Sequence, residues 1–573
     1  MHDMVIRNAM VLDGSGAPAF SADVAIDGAL ITAVGAVPQK GQREIEAAGR
    51  LVTPGFVDIH THYDGQASWD SLLAPTSLNG VTSLAMGNCG VGFAPARPDR
   101  HDWLIALLEG VEDIPGTALA EGLTWDWESF PDYLDALGRR QFAVDVAAHI
   151  PHAALRSYVM GDRGGDQNEH PHPAEIAQMA ALVKTALAAG ALGFTTSRTI
   201  IHRSRSGDSI GTLKAGRPEL LAIAAAMREA DKGVIQLISD AYLTPDDDFA
   251  NAELDLIADM ARTSGRPLSF TVQQVDEAPD RYRHIFARVA DMVAEGLDVK
   301  AQVAPRPIGI VLGLEATLNP FILCPGWRPL HHATLAEKRA ALADPATRAM
   351  LLAEHAATPG EGFARLVAHG YARMFRVTDP VDYEPPVDQS VAAEAKVRNI
   401  APAELLLDLL LEAEGRRLLY MPLINYARGN LNDVHAMMTA PHTLYGLSDG
   451  GAHCGTICDA SFPTSTIAIW HRGNRAGSRI PLETLVHGLT RRNALHVGWH
   501  DRGLIAPGLR ADLNIIDLDR LHVPPPRLVR DLPAGGARLM QNPSGIDLTM
   551  LAGTITFERG THSGALPGRL VRA

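Results

Sequence analysis

The segment GFVDIHTH contains two histidines, His60 and His62, separated by one residue. On a β-strand, side chains two apart point to the same face, and these imidazoles would lie about 6–7 Å apart along the strand. Imidazole is a common zinc ligand, and two of them on a rigid strand supply half of a catalytic site. Two polar residues at a strand end would be the alternative. The pair follows a Pro-Gly turn and an apolar strand, which favours a metal site.

A repeating pattern of strands and helices surrounds this pair and would position it. Short apolar runs alternate with helical stretches, which is typical of βα units and a parallel sheet. The eight candidate strands are 56–62, 83–89, 144–150, 192–197, 234–239, 268–275, 298–304 and 443–449. Eight such units predict an α/β fold, a (β/α)8 TIM-like barrel, whose active site lies at the C-terminal ends of its strands.

The two ends of the chain have a different texture from the middle. Residues 1–52 and 505–573 alternate apolar and polar positions, with turn pairs between them, as short antiparallel strands do. They predict one small β-sandwich module formed from the N- and C-terminal segments. The barrel would then occupy residues 53–504. Insertions are expected near 98–140, which is rich in Trp and acids, and near 320–420, which is mostly helical.

Composition narrows the classes of partner. The 573 residues carry a formal net charge of −15, which does not favour binding to nucleic acid or to an anionic membrane. Four cysteines are too few for a disulfide framework in so long a chain. The sequence shows no signal peptide and no apolar run long enough to span a membrane. We therefore expect a cytoplasmic protein with a small-molecule substrate, and homo-oligomerisation stays open.

Three further segments carry a resemblance to a known family. PGFVDIHTHYDGQ resembles the first-strand signature of the amidohydrolase superfamily, and GVTSLAMGNCGVGFAP resembles its N-acyl-D-amino-acid deacylase (D-aminoacylase) branch. RGLIAPGLRADLNIID looks like the C-terminal β module of that branch. The resemblance implies the barrel, zinc and amide hydrolysis. It also implies that Cys89 is a metal ligand, although a lone Cys is usually a small buried apolar residue.

Asp449 ends the last predicted strand, in LYGLSDGGAH. A carboxylate there can contact the metal and accept a proton from a water whose pKa zinc brings down toward ~7. In the family that the chain resembles, the last-strand Asp has this role. An Asp before Gly-Gly can also be a simple turn residue. The predicted metal ligands are therefore His60, His62, Cys89 and Asp449, with Asp449 as the catalytic base.

The chain departs from the branch at two positions. The branch has further histidine ligands at the ends of the fifth and sixth strands, where this sequence has Ile238 and Val272. We therefore expect one zinc ion, with a second left open. Candidates for an additional ligand or a substrate contact are His149, His152 and His202.

Cationic and loop residues supply further candidates. Arg198 and Arg306 follow the fourth and seventh strands, and either could form a bidentate pair with a substrate carboxylate. An ordinary ion pair with a protein acid is the alternative for each. His453, Cys454 and Cys458 lack a second ligand pair, so we interpret them as loop packing at the rim of the site.

The leading functional prediction is metal-dependent hydrolysis of a C–N bond, in an N-acyl amino acid or a related acyl-amide. A cyclic amide or lactone hydrolase on the same scaffold is the first alternative, since it would use the same activated water. A catalytically silent barrel that binds a ligand is the second. Retention of His60, His62 and Asp449 argues against the silent barrel.

Overall fold

The centre of the molecule is an eight-stranded parallel sheet, seen in a computed structural model that describes residues 1–573. The strands lie side by side in chain order. They are β1 (Phe56–Thr61), β2 (Val81–Met86), β3 (Asp145–Pro151), β4 (Gly193–Arg198), β5 (Val234–Ser239), β6 (Leu268–Thr271), β7 (Val299–Val303) and β8 (Thr443–Tyr445). All eight predicted strands are therefore present, and the mixed α/β class is confirmed.

The first and last strands of this sheet come together at their C-terminal ends. A parallel backbone bridge joins Thr61 to Gly450, and the backbone N–H of His62 donates to the carbonyl of Gly450 at 2.7 Å. The His-x-His segment and the chain just after Asp449 are thus held directly beside each other.

Helices connect and cover the strands. Their ends have the expected signals: Asp246 caps the helix Asp247–Ser264, which ends at Gly265 in a left-handed conformation with φ +62°. None of the helices combines the length and apolar character that a membrane span needs. The helices are His101–Glu112, Gly116–Gly122, Phe130–Gly138, His152–Met160, Pro173–Ala188, Arg217–Ala230, Asp247–Ser264, Arg281–Ala294, Leu335–Ala343, Pro345–Ala357, Gly362–His369, Val391–Arg398, Pro402–Gly415, Asn432–Thr439, Phe462–Arg472, Leu482–His487 and Asn493–His496.

The two chain ends share one nine-stranded sheet with its own apolar core. Its strands are His2–Val11, Phe20–Asp27, Leu30–Gly35, Gly41–Glu46, Leu51–Pro54, Leu513–Ile516, Ile546–Leu551, Thr554–Glu558 and Thr561–His562. The link between the ends is antiparallel pairing of Leu51–Pro54 with Leu513–Ile516. The sandwich arrangement and the domain limits stay predictions.

The two predicted insertions contain structure of their own. Residues 98–140 contain the three helices His101–Glu112, Gly116–Gly122 and Phe130–Gly138, and the first of these ends beside His62. The region 320–420 packs several helices against an antiparallel sheet of Ile308–Leu312, Leu419–Ile424 and Phe375–Arg376, around a separate apolar cluster. A two-stranded hairpin, Arg527–Val529 with Arg538–Met540, lies near the C-terminus.

Candidate metal centre

Four predicted ligands converge at the ends of β1, β2 and β8. His60 Nε2 lies 3.2 Å from Cys89 Sγ and 3.3 Å from Asp449 Oδ1. His62 Nε2 lies 3.5 Å from the same carboxylate oxygen. One donor atom each from His60, His62 and Cys89 falls within 4.8 Å of the others. The structure thus brings together residues as far apart in the chain as His60 and Asp449, which are separated by 389 positions.

Three of the donor separations fit the spacing of ligands around one bound cation. Zn–N bonds of about 2.0–2.1 Å and Zn–S bonds of about 2.3 Å separate neighbouring ligand atoms by roughly 3.3–3.6 Å. The observed separations of 3.2, 3.3 and 3.5 Å are close to that range. A set of two imidazoles, a thiol and a carboxylate is also chemically suited to zinc. These residues therefore fit a metal ion.

A second layer of polar groups orients the two imidazoles. His60 Nδ1 contacts Gln302 Oε1 at 2.8 Å, and His62 Nδ1 contacts Glu112 Oε1 at 3.2 Å. Both contacts use the nitrogen that faces away from the donor cluster. The hydrogen-bond acceptor on His60 Nδ1 holds the proton there and leaves the Nε2 lone pair for a metal. Glu112 lies in the corresponding position beside His62, although this approach does not have hydrogen-bond geometry.

The turn that carries Cys89 is conformationally strained. Cys89 has φ +54°, in the left-handed region, which costs a residue with a side chain of order 1–3 kcal/mol. The next residue, Gly90, has φ +68°, and a Cβ there would lie 2.7 Å from Thr196 Cα. The Cys89 N–H donates to Gln236 Oε1 on β5 at 3.0 Å. Asp449 also has positive φ, of 48°. Two of the four ligands are thus held by strained backbone, as is frequent at functional sites.

The charges of the cluster favour a positive species at its centre. Burial lowers the pKa of His60 to about 4, against the opposing effect of Asp449. Burial acts on His62 in the same sense, but the charge of Glu112 and hydrogen bonding to Asp449 and Cys89 outweigh it and raise that pKa well above its ordinary value. Burial raises the pKa of the Cys89 thiol to about 12. Burial would also raise the pKa of Asp449, but the histidines outweigh it and lower that pKa. The negative charge of Glu112 and Asp449 thus favours a positive charge beside them, which a bound metal cation would also supply.

Comparison with known proteins agrees with this geometry. The model of the amidohydrolase family matches residues 43–557. The chain belongs to the amidohydrolase family. It is 26% identical to an uncharacterized protein of Mycobacterium tuberculosis, over 98% of this chain and 93% of that one. It is 33% identical to a D-aminoacylase of Alcaligenes xylosoxydans xylosoxydans, over 34% of this chain and 37% of the relative.

A solved D-aminoacylase structure has the same fold. It superposes with a TM-score of 0.66 and 22% identity, covering all of both chains. The predicted family is confirmed, and with it the prediction of an enzyme that hydrolyses carbon–nitrogen bonds other than peptide bonds.

The three additional histidines have different surroundings. His152 is fully engaged, with Thr196 Oγ1 at 2.8 Å and Glu219 Oε1 at 3.0 Å, so it has no free nitrogen for a metal. His202 contacts Ser197 Oγ at 2.8 Å, and burial together with the charge of His62 lowers its pKa to about 3. His149 is buried with no partner for Nδ1, and burial lowers its pKa to about 3.

Both arginines proposed for substrate binding are occupied by protein acids. Arg198 forms a bidentate pair with Glu253 at 2.6 and 2.8 Å. Arg306 is only 1% exposed and donates to Asp459 at 2.8 Å, with its guanidinium 3.7 Å from the ring centre of Tyr383. Their role in substrate binding stays a prediction, and these contacts support the alternative of structural ion pairs.

A cavity beside Asp449 contains residues that the sequence did not single out. Asp449 and His453 line it together with Gln66, Asp459 and Arg538. Cys454 and Cys458 also line it, at the position predicted for rim residues. Arg538 comes from the C-terminal hairpin. Its only sequence signal was a cation in a β-rich tail, which does not indicate proximity to the site.

Proposed function

We propose that this amidohydrolase cleaves the C–N bond of an N-acyl amino acid or a related acyl-amide, with one zinc ion held by His60, His62, Cys89 and Asp449. The observation that carries the proposal is the convergence of these four donors at ligand spacing. When bound, a zinc ion polarises a carbonyl and lowers the pKa of water toward ~7.

Asp449 is the residue best situated to move a proton. One carboxylate oxygen, Oδ1, faces both imidazoles. The side chain is nevertheless 18% exposed and lines the open cavity. It can therefore accept a proton from the attacking water and pass it to the leaving amine, as a general base and then a general acid. The buried side chains of His60 and His62 contact Oδ1 of this carboxylate and hold it in place.

Arg538 is the cation that could meet an acidic substrate. It lines the same cavity as Asp449, and its guanidinium forms a bidentate pair with Asp531 at 2.8 and 2.9 Å. Asp531 is 46% exposed, so a substrate carboxylate can replace it at low cost in desolvation. An N-acyl amino acid carries such a carboxylate, and the similarity to D-aminoacylase supports the same class of substrate.

The expectation of one metal ion is supported by the ligands available. His60, His62 and Cys89 form the one group of three or more metal-binding side chains whose donor atoms come within 4.8 Å. At the positions where the branch has further histidines, Ile238 and Val272 lie in the apolar core. The similar D-aminoacylase has a binuclear centre with one-metal activation and second-metal attenuation.

We also propose that the parallel sheet closes as a (β/α)8 barrel. The bridge between Thr61 and Gly450 supports closure between β1 and β8, as does the overall match to D-aminoacylase. In that arrangement the four ligands lie at the open end of the barrel.

The function is tested by metal analysis of the purified protein followed by hydrolysis assays. The substrates would be N-acetyl-D- and N-acetyl-L-amino acids, with hydantoin and a simple lactone included to test cyclic substrates. We expect release of free amino acid by the metal-loaded protein and none after chelation. Hydrolysis of only the cyclic substrates, or no hydrolysis with metal bound, would contradict the proposal.

A further inference from the structure

Glu112 is a buried carboxylate that the proposed reaction does not yet use. It ends the helix His101–Glu112 in the Trp-rich insertion and is 2% exposed. Its Oε1 lies 3.2 Å from His62 Nδ1, and its Oε2 lies 4.0 Å from His453 Nε2. No Lys or Arg pairs with it, which is unusual for a carboxylate at this depth.

The contact is between two buried polar atoms, His62 Nδ1 and Glu112 Oε1. The 3.2 Å approach does not have hydrogen-bond geometry, and neither His62 Nδ1 nor Glu112 Oε1 has a hydrogen-bond partner anywhere in the protein. A buried polar atom without a partner costs about 1–3 kcal/mol, and more if it is charged. The charge of Glu112, 3.2 Å from Nδ1, therefore favours one orientation of the His62 ring, with Nδ1 toward Glu112 and Nε2 toward Asp449.

The insertion is built to hold Glu112 at this point. Trp127 Nε1 donates to the carbonyl of Phe93 at 2.8 Å, and Tyr133 Oη donates to the carbonyl of Asp64, two residues after His62, at 2.9 Å. At the helix end, the backbone N–H of His453 donates to the carbonyl of Glu112. The Trp-rich segment is thus fixed to the chain just after β1, and the end of its first helix is fixed to the loop after Asp449.

The two ligand histidines therefore have unequal supports. His60 has a neutral amide, Gln302, whereas His62 has a carboxylate. A carboxylate on the far nitrogen of a metal-binding imidazole fixes its tautomer and makes it a stronger donor.

We propose that Glu112 is a positioning residue that sets metal affinity through His62, so that the Trp-rich insertion completes the metal centre. The inference rests on the proposed role of His62 as a ligand. Loss of such an outer partner costs about 10–100-fold in metal affinity.

The test measures zinc affinity of metal-stripped full-length protein by competition with a chelating indicator. We expect Glu112→Ala to weaken zinc binding toward the upper end of about 10–100-fold, because His62 loses the carboxylate beside its Nδ1. Glu112→Gln keeps an oxygen beside His62, as Gln302 supplies one beside His60. We expect its zinc affinity to fall by nearer tenfold. The matched control is Glu109→Gln, which removes a carboxylate from the same helix that pairs with Arg205 at the surface. It should bind zinc as the native protein does.

Thermal unfolding of the metal-free variants separates affinity from folding. If Glu112→Ala does not fold, the Gln variant carries the test. Zinc affinity of both Glu112 variants within threefold of the native protein would overturn the inference while leaving the proposed function intact. An equal loss in Glu109→Gln would also overturn it, because a general effect of charge would then suffice. Failure of the native protein to bind zinc would instead reject the metal centre itself.

Discussion

At the scale of single residues, the site depends on where each donor atom points. His60 and His62 both direct Nε2 toward Asp449 Oδ1, at 3.3 and 3.5 Å. Asp449 is the exposed member of the group, whereas both imidazoles are fully buried. This difference in exposure predicts that the histidines only bind the metal, whereas Asp449 also takes part in proton transfer.

Asp449→Asn should therefore remove most of the turnover while substrate binding survives. The amide keeps the shape of the side chain but cannot accept a proton. A general base typically contributes ~10²–10⁴-fold, so we expect a loss in kcat of at least that order. Bound metal must be measured in the same sample, because a weaker ligand would enlarge the loss. Near-normal turnover with metal in place would show that Asp449 is only a turn residue, and the base would then be sought among His149, His152 and His202.

At the scale of elements, β1 and the C-terminal hairpin approach the site from different parts of the chain. β1 is a fully buried strand, the first of the parallel sheet, and places His60 near its end, with His62 just beyond it. The hairpin is attached to the loop after Asp449 by a hydrogen bond from Leu539 N to Cys454 O, at 2.7 Å. We expect the first element to control the metal and the second to control the substrate.

His60→Ala with His62→Ala should abolish both metal retention and turnover while leaving the fold largely intact. The pair lies at the end of β1, so its removal leaves the apolar contacts of Phe56 and Val57 in place. Metal content and circular dichroism of the same preparation would check this. Loss of folded protein, with no specific loss of metal, would count against the assignment.

Arg538→Met should raise KM for N-acyl amino acids without a comparable rise for a neutral acyl-amide. A hydrogen bond to a charged group contributes about 1.5–3 kcal/mol, which corresponds to roughly 10–100-fold in KM. Arg530→Met is the matched control, because Arg530 belongs to the same hairpin and is exposed. If KM rises equally for charged and neutral substrates, Arg538 does not bind the carboxylate.

The sequence predicts elements better than it predicts their contacts. The apolar runs and the His-x-His spacing are local patterns that predict the eight strands and the pair His60 and His62, whereas only the family resemblance indicates Cys89 as a ligand. Glu112 lies 50 residues after His62 in the chain, and its contact with His62 depends on how the intervening segment folds, which no local pattern describes. Similarly, the sequence shows the charge of Arg198 but not that Glu253 neutralises it.

At the scale of the whole molecule, the metal centre is the point where distant parts of the chain meet. The ends of β1 and β2 supply three of the proposed ligands, the end of the parallel sheet supplies Asp449, and the Trp-rich segment supplies Glu112. The nine-stranded sheet of the two chain ends adjoins the start of β1 through the strand Leu51–Pro54. One ion would therefore link elements that otherwise meet by backbone contacts and side-chain packing.

We expect nearer one tightly held metal ion per chain than two. The four proposed ligands lie together in one cluster, and the strand ends that could complete a second carry Ile238 and Val272, whose side chains cannot bind a metal. Of the nearby histidines, His152 is occupied by Thr196 and Glu219, and His202 contacts Ser197. Elemental analysis after dialysis against metal-free buffer would give the number directly. A value near two, or a crystal structure with a second ion on His149 or His202, would overturn the expectation, because the missing histidines would then have been replaced by others.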